Sequence, residues 1–138
     1  MGKRYIPCDH KYYHYYNANP KDKRTTDCVF RAISTAMDKP WKDVMLEMTE
    51  MACHYGYVPT DTVLINKYLK KNGWVKMKQP RGLDGTKYTG RDFCSSFNCT
   101  AVVTIGYHHV SCVKDRKIWD TWDCSDRCIG SYWVNGNK

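Results

Sequence analysis

The sequence predicts an α+β fold in which N-terminal helices pack on a C-terminal antiparallel β-sheet. Two observations predict it. From about residue 27 to residue 72, apolar side chains recur at the three-to-four-residue spacing of amphipathic helices. After Gly73 the pattern changes to short β-rich runs separated by turn residues. The 138 residues read as a single domain, 1–138, long enough for a real core and too short for two comfortable ones.

The elements follow in order. Residues 1–24 are polar and aromatic without a clear period and read as an irregular arm. Within it, KYYHYY (residues 11–16) sets four tyrosines beside basic residues, a composition that suits packing onto the domain better than base stacking. The first helix runs from about Asp27 to Met37, with Thr26 or Asp27 as cap and Val29, Phe30, Ile33 and Ala36 or Met37 at helical spacing. Pro40 suits the first position of a second helix, whose stripe of Trp41, Val44, Met48, Met51 and Tyr55 reads as core before Gly56 stops it. A third helix, capped by Thr60, ends at Gly73 with lysines near its C-terminus, where the helix dipole favours them.

In the second half, WVKMK (residues 74–78) alternates, QPRGLDG is a loop and TGRDFCSSF makes one short helix capped at Thr89. The runs TAVVTIGY, HVSCV, KIWDTW and IGSYWV are then strands, with KDR a hairpin turn between the second and third. There is no internal repeat and no linker.

Twenty-two Lys and Arg against 14 Asp and Glu give a net charge of +8, which favours nucleic acid, anionic surfaces or an acidic protein as partner without choosing among them. MGKRYIPCDH is charged and lacks an apolar run, and no stretch reaches transmembrane length. The expectation is a cytoplasmic protein, with no membrane partner, whose eight cysteines are reduced. For zinc, the best pairs are Cys8 with His10, Cys53 with His54, Cys94 with Cys99, and Cys124 with Cys128. None forms a CxxC knuckle, so no metal and no cofactor is expected, and a zinc-stabilised domain is the weakest reading.

One stretch carries chemistry. TTDCVFRAISTAM places Cys28 on the first turn of a helix, where unpaired N–H groups and the helix dipole stabilise a thiolate. The same place also suits a small buried hydrophobe. A nucleophile needs a base, and the base needs an orienting acceptor. His108 and His109 begin one strand, and Asp120 and Asp123 lie across the hairpin from them. With the turn centred on Asp115 and Arg116, residues whose numbers sum to about 231 face one another, which brings His109 near Asp120 or Thr121.

DCVFRAISTAMDKPWKDVMLEM, followed downstream by HHVSCVKDRKIWDTWDCSDRCIGSYW, resembles the small papain-like cysteine hydrolases, and in detail a papain-like group from phages and bacteria. That resemblance covers residues 25–56 and 89–134 and implies Cys28 as nucleophile, His109 as general base and Asp120 as orienting acceptor, with His108 and Asp123 in reserve. It implies hydrolysis of a peptide, isopeptide or amide bond, and the +8 charge points to an acidic protein or peptide as the substrate. One departure stands out. Papain-like peptidases place a Gln six residues before the nucleophile as oxyanion donor, and here that residue is Asp22, which only accepts when ionised. Asn17, Asn19 or the backbone N–H of Cys28 would have to serve. The alternative is a catalytically inactive papain-like fold acting as a binding or inhibitor module for an acidic protein or nucleic acid, encoded by a phage or mobile element.

Overall fold

A computed structural model describes residues 5–137; the first four residues of the arm and Lys138 lie outside the described residues. The elements are β1 (Tyr13–Tyr15), α1 (Cys28–Met37), α2 (Trp41–Tyr55), α3 (Thr62–Lys71), β2 (Trp74–Met77), α4 (Gly90–Ser96), β3 (Ala101–Ile105), β4 (His109–Lys114), β5 (Lys117–Asp120) and β6 (Ile129–Asn135). This is a mixed α+β fold. The six strands form one sheet in the order β1-β5-β4-β3-β6-β2.

The sheet has a core on each face, because strand side chains alternate. On one face Val102, Cys112 and Trp133 meet Ile33 of α1, Met48 of α2 and Leu64 and Leu69 of α3. On the other, Val103, Val113, Ile118 and Tyr132 meet Phe93 of α4. Ile33, Met48, Leu64 and Leu69 are fully buried, and each such side chain contributes roughly 1.5–3 kcal/mol of transfer free energy.

Helix boundaries follow the expected chemistry. Pro40 precedes α2, and Gly56 ends it in a left-handed conformation at φ 82°. Thr89 and Asp92 form a reciprocal capping box on α4. The cap of α3 is Asp61 rather than Thr60, with its carboxylate accepting from the Val63 N–H. Both residues are competent caps, and the one whose oxygen meets the second helical N–H wins. The KDR turn closes as a two-residue loop: Lys114 pairs with Lys117, and Asp115 and Arg116 both take positive φ, 52° and 60°, the twist that suits a tight hairpin. β5 stops at Asp120, two residues short of the expected run.

The arm corrects two expectations. Residues 13–15 are a strand, and it pairs with β5 in parallel, so the sheet is mixed rather than purely antiparallel. Tyr13 is fully buried, and its hydroxyl donates to the Asp120 carbonyl at 3.0 Å. Burying an aromatic ring with its hydroxyl satisfied outweighs the weak local pattern of KYYHYY.

Candidate active site

Four elements converge at one end of β4. α1 begins at Cys28, half-buried, with Asp27 at the cap position. The Asp27 side chain makes no capping bond to the helix. Instead it accepts from Arg31 Nε at 2.8 Å, from Trp41 Nε1 at 3.0 Å and from Asn19 Nδ2 at 3.2 Å. The first-turn N–H groups are thus left without a side-chain cap, next to the thiol.

The hairpin register selects the carboxylate. Lys114 opposite Lys117 fixes the pairing sum at 231, so Ser111 stands across from Asp120, and His109, two residues along, shares their face. The last paired rung is Cys112 with Trp119, and the Asp120 carboxylate lies just beyond it. Asp120 Oδ2 accepts from His109 Nε2 at 2.7 Å and from the Ser111 hydroxyl at 2.6 Å. Oδ1 accepts from Arg31 Nη1 at 2.7 Å and from the Thr121 N–H at 2.7 Å. With Nε2 held by the carboxylate, Nδ1 is the nitrogen left for the sulfur. Cys28, His109 and Val110 line the same cleft, and the imidazole and the Val110 N–H act electrostatically on the Cys28 sulfur. The Trp122 ring packs on the imidazole at 4.9 Å between centroids.

The electrostatics follow from these contacts. Burial pushes the Cys28 thiol up, but the bonds from His109 and the Val110 N–H and the charges of His109 and Arg31 outweigh it, and its pKa falls below the ordinary thiol value. Burial pulls His109 down, and its bonds to Asp120, Cys124 and Cys28 reverse that and raise it to about 11. Burial raises Asp120, and His109, Arg31 and Ser111 more than compensate, so it stays ionised. The Cys28 and His109 shifts work in the same direction, towards a thiolate facing an imidazolium. The raised His109 value stabilises the fold fully below about pH 6.5 and progressively less towards 11, whereas the lowered Asp120 value adds stability that is lost as pH falls through the acid range.

Of the remaining sequence candidates, His108 lines the rim of the same cleft as Cys28 and His109, and Asp123, Asn17 and Asn19 are engaged elsewhere. His108 is exposed in a left-handed conformation at φ 54°, its ring against Tyr107. Asp123 accepts from His10 Nε2 at 2.6 Å and from the Ser125 N–H at 3.0 Å, a turn and clamp role. Asn17 donates to Asp22 and to the Lys23 carbonyl, and Asn19 donates to Asp27, so both amides are turned away from the thiol.

Three site residues escaped the sequence reading. Arg31 reads as an ordinary helix cation until Asp27, four residues earlier, and Asp120 enclose it; that i,i+4 spacing was the available signal. Ser111 sits two residues from His109, on the same face of the strand. Cys124 is fully buried, with its sulfur 4.0 Å from Asp120 Oδ2.

Among the described residues, the four cysteine pairs considered for zinc assemble no set of three ligands; His109, Asp120 and Cys124 do, with their ligand atoms all within 4.8 Å of one another. The Asp120 oxygens in that set already accept from His109, Ser111, Arg31 and Thr121, so hydrogen bonding accounts for the cluster.

A cleft of about 520 Å³ opens beside Cys28 and His109, lined by Thr26, Thr60, Thr62, Thr104, Ile65 and Val110. A cavity of the same volume lies between α2 and α3, so size does not distinguish the site; the converging thiol, imidazole and carboxylate do. No helix among the described residues is long and apolar enough to cross a membrane. Compared with models of known families, with curated proteins and with solved structures, the chain matches none.

Proposed function

We propose that this protein is a thiol hydrolase of papain-like kind that cleaves a peptide, isopeptide or amide bond. The observation that carries the reading is the His109–Asp120 bond at 2.7 Å with Cys28 lining the same cleft as the imidazole. The Cys28 thiolate attacks the carbonyl carbon, and the Cys28 backbone N–H, at the uncapped helix start, receives the oxyanion. His109 Nδ1–H protonates the leaving amine, and the neutral imidazole then draws a proton from the water that releases the acyl group. Asp120, fixed by Arg31 and Ser111, keeps Nε2 protonated throughout. The open cleft, whose walls beyond Cys28 and the two histidines are threonine and aliphatic side chains, gives room for an extended peptide.

The test is alkylation with iodoacetamide at pH 5.5, followed by peptide mapping. An ordinary thiol of pKa ~8.5 is only about 0.1% ionised there. Cys28 is expected to label at least tenfold faster than the exposed Cys8, Cys53 and Cys128, and in His109→Ala its labelling should need a higher pH. Uniformly slow labelling would overturn the reading and leave the inactive binding module, which the absence of a side-chain oxyanion donor from Asn17 or Asn19 favours.

A further inference from the structure

A second site lies at the other end of the β4–β5 hairpin. Tyr12, just before β1, is half-buried, and two cations lie over its ring: Lys11 Nζ at 5.4 Å and Arg91 Cζ at 5.7 Å from the centroid. The Tyr12 hydroxyl accepts from Ser95 at 3.4 Å. The carbonyl of the same Ser95 accepts from Arg116 Nη1 at 3.0 Å. Lys11 and Arg116 thus line a cavity of about 340 Å³ with Tyr12, Cys94 and Ser95, and Arg91, from the first turn of α4, adds a third cation over the Tyr12 ring. Among the described residues, none of the three cations has a carboxylate within salt-bridge distance. Bringing like charges together without neutralising them costs free energy, and the Tyr12 hydroxyl registers the resulting field: its pKa is lowered by the Ser95 bond and then by the Lys11 charge.

We propose that this cradle is a docking site for the phosphodiester backbone of a nucleic acid. Two guanidinium forks and an ammonium match tetrahedral phosphate oxygens better than the single planar carboxylates of an acidic peptide. The Tyr12 ring is already engaged by Lys11 and Arg91, so it holds cations rather than stacking a base, and binding should be independent of sequence. The cradle sits five strand residues from His109, roughly 17 Å at ~3.3 Å per residue, at the turn end of the hairpin. A bound strand would therefore leave the cleft open. This inference stands independently of the hydrolase reading.

The experiment measures binding of the full chain to a fluorescent 20-nucleotide single strand, and to its duplex, across a salt series. Arg91→Glu/Arg116→Glu should weaken binding at least tenfold at low salt and flatten the plot of log K against log salt by about 1 to 1.5, at ~0.7 per phosphate contact on a single strand. The charge-matched control Lys76→Glu/Lys78→Glu, on the opposite edge of the sheet, should change affinity less than threefold. Unchanged Cys28 labelling and melting temperature would show that both variants are folded. Equal losses from both pairs, no binding to either probe, or equally tight binding of a glutamate decapeptide would each overturn the proposal.

Discussion

Cys28→Ala should abolish the burst of p-nitrophenolate from p-nitrophenyl acetate and lower turnover at least ~10³-fold, with the fold intact. Loss of the nucleophile from a triad removes its chemistry almost entirely, because base and acceptor act only through it. The substitution removes one half-buried sulfur, so the cost in stability should stay within ~1.5 kcal/mol. Cys124→Ala is the informative partner. Cys124 also bonds His109, yet it is fully buried and its thiol is pushed up, chiefly by burial, so the burst should survive its removal. Survival of the burst in Cys28→Ala and its loss in Cys124→Ala would mean that the nucleophile is misassigned.

Arg31→Met should destabilise the protein by roughly 3–5 kcal/mol, the usual consequence of removing one member of a buried charge cluster. Arg31 lies between two buried carboxylates, at 2.8 Å from Asp27 and 2.7 Å from Asp120. Without it, both must be desolvated with fewer partners. Against a domain stability of ~5–15 kcal/mol, the loss should be plain in urea denaturation at pH 7. The penalty should shrink as pH falls, since protonating the stranded carboxylates removes the charge that lacked a partner. Asp27→Asn added to Arg31→Met should recover part of it. A penalty below 1 kcal/mol at pH 7 would show that water takes over the guanidinium's role.

How much of this was legible depends on how local the signal was. Pro40, Gly56 and the Thr89/Asp92 box are local, and each marks a real helix end. The hairpin was legible for the same reason: two turn residues set a pairing sum that brought His109 near Asp120. The choice of Asp120 over Asp123 rested on the papain-like resemblance until the register of the structure placed Asp120 opposite Ser111, on the face of His109. β1 was not legible. Its partner lies more than one hundred residues away and pairs in parallel, so no turn signal joins them. Arg31 was missed because its burial depends on Asp120, 89 positions downstream, and a lone helix arginine normally reads as solvated. The papain-like likeness stays a proposal resting on residue order and site geometry.

The parallel pairing of β1 has a bearing on the order in which the molecule comes together. Tyr13 clamps the Asp120 carbonyl across 107 positions, and His10 holds Asp123 across 113. The segment behind the carboxylate is thus made more than one hundred residues before the carboxylate. Closing so long a loop adds chain entropy that local helices never face. A chain still emerging from the ribosome would carry the Cys28 thiol before it carried either base or acceptor. Chemistry at Cys28 in this way waits until Asp120, more than ninety positions later, has been made, and a copy lacking that residue holds only an ordinary cysteine.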